Sequence, residues 1–226
     1  MRAPHGIASL TGTTWLGSEP GEALGLPGRW FERDGRAVAT GLDTAVELLA
    51  GEEITLGEVL VRVIRREGVL AVRGFDPAAP GRLSLTGIDA IPFDPAWVLQ
   101  GSFTATEGAA LAIDHVDGST SRDAVAGTVR FSVDGARIAL AAFPAPDGRL
   151  QITFADAGNG STSQQFRFLT LPAPDASGAV EVDLNRAYLP PCAFSDHYLC
   201  PIPPAQNRLR FAVTAGETFV RRLPAA

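Results

Sequence analysis

Residues 129–154 decide the fold, and they read VRFSVDGARIALAAFPAPDGRLQITF. Apolar and polar side chains alternate in three stretches of this segment, at 129–133, 138–142 and 150–154. A period of two is typical of strands that bury one face. The first two stretches flank Asp134-Gly135, a pair that tolerates the positive φ angles of a tight hairpin. The segment therefore predicts three consecutive antiparallel strands, a meander with one buried face.

The same signals recur upstream. Asp34-Gly35 lies between short apolar runs at 30–32 and 37–39, and a polar turn at 65–68 separates another pair of runs. Repeated hairpins in a chain rich in Gly and Pro are typical of β proteins. The sequence predicts an all-β fold, with an N-terminal β-sandwich-like half followed by an antiparallel meander or barrel-like half.

A segment rich in Pro, Gly and Asp, residues 74–95, separates the upstream hairpins from the meander. We place a domain boundary inside it, with a β-sandwich-like domain at 1–87 and a barrel-like domain at 88–226. The alternative is one larger β structure in which this segment is a long connection. The length of 226 residues fits either arrangement.

The charge composition excludes several chemistries. All 19 residues counted as Lys or Arg are Arg. The chain therefore has no lysine for a Schiff base, a bound pyridoxal cofactor or a P-loop. The net charge is −6 and the arginines are scattered, so the basic patch of a nucleic-acid-binding protein is missing.

The hydrophobic pattern predicts no contact with a membrane. No apolar stretch is long enough to cross a bilayer as a helix. The N-terminal residues lack the apolar core and cleavage site of a secretory signal. We therefore expect a cytoplasmic protein.

The most distinctive chemistry lies in one proline-bracketed segment. Cys192 and Cys200, the two cysteines of the chain, lie between Pro190-Pro191 and Pro203-Pro204. Proline fixes φ and removes an amide donor, so this segment is predicted to be a stiff loop laid over the sheet. The first interpretation is structural: the cysteines pin the loop, either as thiols or as a disulfide.

The second interpretation is a metal site. Cys192, His197 and Cys200 are residue types that bind zinc, with four and then two residues between them. This spacing is uncommon for zinc, and a fourth ligand would have to come from an aspartate or from His115. Zinc is therefore considered but is not the favoured cofactor.

The third interpretation is catalysis, with Cys192 as the nucleophile, His197 as the base and Asp183 or Asp196 orienting the base. Cys200 is the alternative nucleophile and His115 the alternative base. The position of His115, at a strand end before a turn, predicts an exposed loop histidine.

Further polar residues of the same region suit the binding of a ligand. Asn185 and Asn207 offer amides, Tyr188 offers a hydroxyl, and Arg208 offers a guanidinium that matches a carboxylate or phosphate. Together with Cys200 they form the predicted ligand-binding set. Each also has a structural explanation, such as the capping of turn amides by the asparagines.

The C-terminal segment resembles a family of unknown function. Residues 183–194 read DLNRAYLPPCAF and residues 200–209 read CPIPPAQNRL. This resembles the signature D-x-N-x-A-Y-N-P-P-C-A-[YF] followed by C-P-x-P-P-x-E-N-x-L of an uncharacterised bacterial and archaeal domain family. Leu189 and Gln206 depart from it, since the family usually has Asn and Glu at these positions. The resemblance implies membership and brings no known activity.

The N-terminal half resembles a forkhead-associated β-sandwich, and this resemblance implies a fold only. Phosphothreonine binding in that fold relies on an Arg beside a glycine and on a downstream Ser-x-x-His. The resemblance covers residues 17–73, where Ser18 follows Gly17 and no His is present. Phosphopeptide binding is therefore not expected.

The leading functional hypothesis is a small-molecule-binding β-barrel protein, with or without catalysis, whose pocket is capped by residues 190–207. One alternative is a non-catalytic protein-interaction or scaffold module. Another is a cysteine-dependent hydrolase or transferase. The sequence identifies neither the ligand nor a partner.

Overall fold

The computed structural model describes residues 1–224 and confirms the predicted all-β fold. The strands are β1 (Leu10–Trp15), β2 (Gly21–Glu22), β3 (Arg29–Arg33), β4 (Arg36–Thr40), β5 (Val46–Leu48), β6 (Glu53–Leu56), β7 (Val59–Arg66), β8 (Val69–Phe75), β9 (Leu85–Ala90), β10 (Val98–Ala105), β11 (Ala110–Asp114), β12 (Thr120–Ala124), β13 (Gly127–Val133), β14 (Ala136–Pro144), β15 (Leu150–Phe154), β16 (Arg167–Leu171), β17 (Ala179–Asp183) and β18 (Glu217–Arg222).

The helices are short. One α-helix, α1 (Pro80–Ser84), lies between β8 and β9. Single 3₁₀ turns are found at Ile7–Ser9, Pro95–Trp97, Pro146–Gly148, Leu184–Arg186, Pro191–Ala193 and Ala205–Asn207. Within residues 1–224, no helix has the length and apolar character needed to cross a membrane.

The described chain divides into two compact units. The N-terminal unit consists of Met1–Thr86, the short segment Phe194–Tyr198 and the last described residues from Arg222 on. The C-terminal unit consists of Gly87–Ala193 and Leu199–Arg221. The proline-bracketed segment therefore contributes residues to both units.

The N-terminal unit contains two four-stranded antiparallel sheets, in the orders β1-β8-β7-β6 and β2-β3-β4-β5. One hydrophobic cluster includes side chains from both sheets, among them Trp30 from β3 and Val61 and Val63 from β7. Trp30 is 2% exposed, and the two valines are fully buried. Two sheets that share a core form a β-sandwich, as the sequence predicts for this half.

The C-terminal unit is built on a six-stranded antiparallel sheet in the order β16-β15-β14-β13-β10-β17. The sheet curls into a half-barrel, and one of its faces carries the core of the unit. Val129, Leu140 and Ile152 come from three neighbouring strands and pack in one buried cluster on this face. Two ribbons of two strands each, β11-β12 and β9-β18, accompany the large sheet.

The predicted meander forms as β13, β14 and β15. Phe131 pairs with Ile138 across the first hairpin. The turn residues Asp134 and Gly135 have φ angles of 48° and 79°. A two-residue type I′ turn requires positive φ at both positions, so local turn chemistry accounts for the register of this hairpin.

A buried ion pair ties the segment that leads into β18 to the half-barrel. Arg167, at the start of β16, has no exposed surface, and its Nη2 atom lies 2.6 Å from the carboxylate of Asp156. The guanidinium also donates to the carbonyl oxygens of Val213 (3.0 Å), Ala215 (2.5 Å) and Glu217 (3.2 Å). The planar, five-donor guanidinium suits such multiple recognition. The ion pair therefore holds this C-terminal segment in place.

Candidate functional site

Asn207 anchors one end of the proline-bracketed segment to the half-barrel. The residue is fully buried, and its Nδ2 atom donates to the carbonyl oxygens of Ala141 (3.0 Å) and Thr153 (2.9 Å). Its Oδ1 atom accepts a hydrogen bond from the amide nitrogen of Ala141 at 2.8 Å. Both N–H donors and the oxygen of the side chain are thus bonded to the backbone of β14 and β15. Asn207 therefore fixes the position of the loop on these two strands.

A second set of contacts ties the same loop to the β11–β12 hairpin. The amide nitrogen of Ile202 donates to the carbonyl oxygen of Asp114 at 2.7 Å. The amide nitrogen of Val116 donates to the carbonyl oxygen of Cys200 at 3.1 Å. The loop is therefore held on two sides by backbone partners that are far away in the sequence.

His115 lies between the hairpin and the loop. Its Nε2 atom lies 2.7 Å from the hydroxyl of Ser121, and its Nδ1 atom lies 3.1 Å from the carbonyl oxygen of Leu199. The residue is 6% exposed, so the prediction of an exposed loop histidine is wrong. The reason is that the loop covering the ring is about 80 residues away in the sequence and leaves no local signal.

A cavity of about 440 Å³ lies between the hairpin, the loop and the sheet. It is lined by Ile113, Arg122, Asp123, Ala124, Phe143, Pro144, Gln151, Thr153, Pro201, Ile202 and Pro204. Leu150 and Ile152 of β15 belong to the buried core cluster. Gln151 and Thr153 alternate with them and therefore face the other side of the sheet. The cavity thus lies on the outer face of the half-barrel, opposite the packed core.

The polar groups of this cavity differ in how they are bonded. Gln151 is engaged, because its Oε1 atom accepts from the hydroxyls of Thr170 (2.9 Å) and Tyr188 (3.2 Å). Thr153 is 3% exposed, and its hydroxyl makes no hydrogen bond with any residue that the structure describes. A hydroxyl with free bonding capacity on the lining of a cavity is suited to bind a polar group inside it.

A second cavity, of about 390 Å³, contains two of the predicted site residues, Asp183 and Tyr188. The carboxylate of Asp183 accepts hydrogen bonds from the backbone nitrogen (3.0 Å) and the Nδ2 atom (2.9 Å) of Asn185. Asn185 in turn bonds to the backbone of Asp94 at 2.9 and 3.0 Å. Asp183 and Asn185 therefore cap a turn, while Tyr188 bonds to Gln151 of the first cavity.

The predicted catalytic residues belong to different units. Cys192 and Cys200 lie in the C-terminal unit as thiols, and the Sγ atom of Cys200 accepts a hydrogen bond from the backbone nitrogen of Cys192 at 3.3 Å. His197 lies in the segment assigned to the N-terminal unit, where its carbonyl oxygen accepts from the Thr13 hydroxyl at 2.7 Å. Within the described residues, no three side chains of His, Cys, Asp or Glu are grouped as metal ligands. The catalytic and zinc-binding roles stay predictions.

The predicted ligand-binding residues do not line the first cavity. Cys200 and Asn207 lie on either side of the loop residues that do line it, and Arg208 is exposed. The lining residues that the sequence did not single out include Asp123 and Thr153. In the sequence, these two residues stand out only as polar residues on one face of a strand. Such a pattern does not show that another segment covers this face.

The fold and this cavity define the class of the molecule: an all-β protein with a sandwich unit and a half-barrel unit that carries a cavity on its outer face. Residues 84–218 match the family described as protein of unknown function, DUF1684. Since the match spans more than half of the chain, the protein belongs to this family, and the expected membership in a family of unknown function is confirmed.

A similar solved structure is the solution NMR structure of an uncharacterized protein from Haloarcula marismortui. It is 30% identical to this chain, and the alignment covers 59% of this chain and 76% of that chain, with a TM-score of 0.48. No curated protein matches the chain. The family match begins at residue 84, and the forkhead-associated resemblance of the N-terminal half stays a prediction.

Proposed function

We propose that this protein binds a small molecule in the 440 Å³ cavity between the β11–β12 hairpin, β14–β15 and loop residues 201–204. The observation that carries the proposal is the hydroxyl of Thr153, a cavity-lining group that makes no hydrogen bond within the described chain. A hydroxyl can both donate and accept a hydrogen bond, so this one can bind a polar group of a molecule inside the cavity.

The size and lining of the cavity support the proposal. Ligand pockets typically enclose about 300–1,000 Å³ and combine an apolar lining with a few polar groups. Here seven lining residues are apolar and four are polar or charged. This composition suits a small molecule with an apolar body and one or two polar groups.

The way in which the loop is held also favours binding. Pro201 and Pro204 line the cavity, and their fixed φ angles restrict the loop before any ligand arrives. Asn207 fixes the end of the same loop through three hydrogen bonds. A wall that is already ordered lowers the entropic cost of binding.

The test uses 3-phenylpropan-1-ol, a neutral probe with an apolar body and one hydroxyl, followed by amide shifts in two-dimensional NMR. We expect saturable shifts at Ile113, Thr153 and Ile202 with a dissociation constant of about 1 mM or tighter. Ile202→Trp fills the cavity and is expected to weaken binding about ten-fold or more. Val116→Trp is the matched control, because Val116 is 42% exposed on the same hairpin and does not line the cavity.

Saturable shifts that Ile202→Trp abolishes and Val116→Trp retains would support the proposal. Absence of saturable shifts, or equal binding by all three proteins, would contradict it. Native and denatured intact masses of the protein as purified provide a second measurement, since an excess in the native mass identifies a retained molecule.

A further inference from the structure

Two buried side chains hold the carboxylate of Asp123 in a fixed orientation. The hydroxyl of Ser121 donates to the Oδ1 atom of Asp123 at 2.7 Å, and the same hydroxyl lies 2.7 Å from the Nε2 atom of His115. Ser121 and His115 are 5% and 6% exposed and do not line the cavity. Side chains outside the cavity lining therefore set the orientation of the Asp123 carboxylate.

The other oxygen of this carboxylate has bonding capacity left. Asp123 is half-buried and lines the cavity, and its Oδ2 atom makes no hydrogen bond with the described residues. An ionised carboxylate only accepts hydrogen bonds, so its complement in a ligand is a donor. A positively charged donor forms a charge-assisted bond, which is about twice as strong as a neutral one.

The cavity is also lined by one cationic residue, Arg122. The charge of the preferred ligand therefore depends on whether the Arg122 guanidinium or the Asp123 carboxylate interacts with it more strongly. Arg122 is exposed, whereas Asp123 is half-buried and on the same face of β12 as the buried Ser121. Electrostatic attraction weakens in contact with water and strengthens in a partly buried site. Both side chains line the cavity, and the more buried charge, that of Asp123, is therefore expected to attract a charged ligand group more strongly.

We propose that Asp123 binds the protonated amine of a ligand whose apolar body fills the cavity, with the Thr153 hydroxyl available to a second polar group. This inference rests on the proposed function and adds the charge of the ligand to it. It makes Asp123 a specificity-determining residue and Ser121 a positioning residue.

The test compares three probes with the same body: 3-phenylpropylamine, 3-phenylpropan-1-ol and 3-phenylpropanoate. Their dissociation constants are measured by NMR at neutral pH on the full chain. With wild-type protein we expect the amine to bind about ten-fold or more tightly than the acid, with the alcohol in between. In Asp123→Asn the preference for the amine over the acid disappears, while the affinity for the alcohol changes less than three-fold.

Two further variants sharpen the comparison. Asp134→Asn removes the same charge from an exposed hairpin turn, where Asn tolerates the positive φ, and is expected to retain the amine preference. Ser121→Ala releases the carboxylate from its support and is expected to reduce the amine preference without affecting alcohol binding. A merely structural role of Ser121 would change all three affinities together.

Equal or tighter binding of the acid to the wild-type protein would overturn the inference, and so would an amine preference that survives in Asp123→Asn. In both cases binding of the alcohol keeps the proposed function intact. Failure of all three probes to bind would contradict the proposed function itself. The wild-type series alone decides the matter if Asp123→Asn does not fold.

Discussion

Asn207 and Thr153 are both buried polar residues at β14 and β15, and they differ in how their bonding capacity is used. The side chain of Asn207 makes three hydrogen bonds to the backbone of Ala141 and Thr153. The hydroxyl of Thr153 makes none with the described residues, although Thr153 is 3% exposed. One side chain attaches the loop to the sheet, and the other faces the space that the loop encloses.

This difference distinguishes residues that maintain the fold from residues that mark a site. A buried group whose donors and acceptors are all bonded contributes to stability, and removing it leaves its partners unsatisfied. A polar group that lines a cavity and has no partner in the protein contributes little to stability and is free to bind a ligand. The buried Asp156–Arg167 pair also maintains the fold, although the Nε atom of Arg167 has no hydrogen-bond partner among the described residues. The Oδ2 atom of Asp123 resembles the Thr153 hydroxyl, since Asp123 lines the cavity and this oxygen accepts no hydrogen bond from the described residues.

The largest expected effect is at the buried ion pair. Asp156→Ala leaves the Arg167 guanidinium without its counter-charge in a fully buried position. Breaking such a pair by removing one partner costs about 3–5 kcal/mol. We expect a loss of this size in the free energy of unfolding, measured by urea denaturation followed by circular dichroism.

The control for this variant is an exposed pair. The Nη2 atom of Arg33 lies 2.5 Å from the Oε1 atom of Glu47, and the two side chains are 55% and 45% exposed. Glu47→Ala is expected to change stability by about 1 kcal/mol or less, because water screens exposed pairs. A loss of less than about 1 kcal/mol in the free energy of unfolding of Asp156→Ala would show that the buried pair does not hold the C-terminal segment in place.

The comparison of Asn207 with Thr153 is tested by replacing each in turn. Asn207→Ala leaves three backbone groups of β14 and β15 unsatisfied and is expected to cost about 2–4 kcal/mol of stability. It should also weaken binding of 3-phenylpropan-1-ol, because the loop wall loses its attachment.

Thr153→Val removes a hydroxyl that has no partner in the protein, so the free energy of unfolding should change by less than about 0.5 kcal/mol. Binding of 3-phenylpropan-1-ol should weaken about three- to ten-fold.

Urea denaturation and NMR titration of both variants give the two readouts. If Thr153→Val were as destabilising as Asn207→Ala, the hydroxyl would belong to the structure and not to a site. If Asn207→Ala left both stability and binding unchanged, the loop would be held by other contacts.

The smallest expected effect concerns a hydrogen-bonded carboxylate at the surface, that of Asp175. The hydroxyl of Ser177, followed by the backbone amides of Ala179 and Ser177, lowers the pKa of Asp175 below its ordinary value of 3.8. Because the folded pKa is the lower one, the contribution of Asp175 to stability is present above about pH 4 and is lost as the pH falls below it.

Urea midpoints at pH 7 and pH 3 measure this effect. The wild-type protein should lose slightly more stability between the two values than Asp175→Asn, which cannot titrate. Asp147→Asn is the control, because the Asp147 side chain is 87% exposed, and it should lose as much as the wild type. An equal loss in all three proteins would show that the Ser177 hydroxyl does not stabilise the charged form of Asp175.

Local patterns predicted the fold class and several hairpins. The alternation at 129–133 and the Asp134-Gly135 pair predict the β13–β14 hairpin, because the side-chain period and the φ angles of a turn depend on neighbouring residues. The candidate site was predicted in part. The sequence pointed to the proline-bracketed loop, and residues 201–204 of that loop line the cavity. It did not point to Asp123 or Thr153.

The sequence by itself determined the all-β class, the hairpins and the stiffness of the proline-rich loop, since all three depend on residues that are close together along the chain. Only the tertiary structure decided what that loop covers. Asn207 bonds to Ala141 across 66 residues, and His115 meets Leu199 across 84. Such partners are chosen by the topology of the sheet, and a strand pattern shows which face is polar without showing what packs against it. For this reason the cavity and its open polar groups emerged only when the strands and the loop were in place.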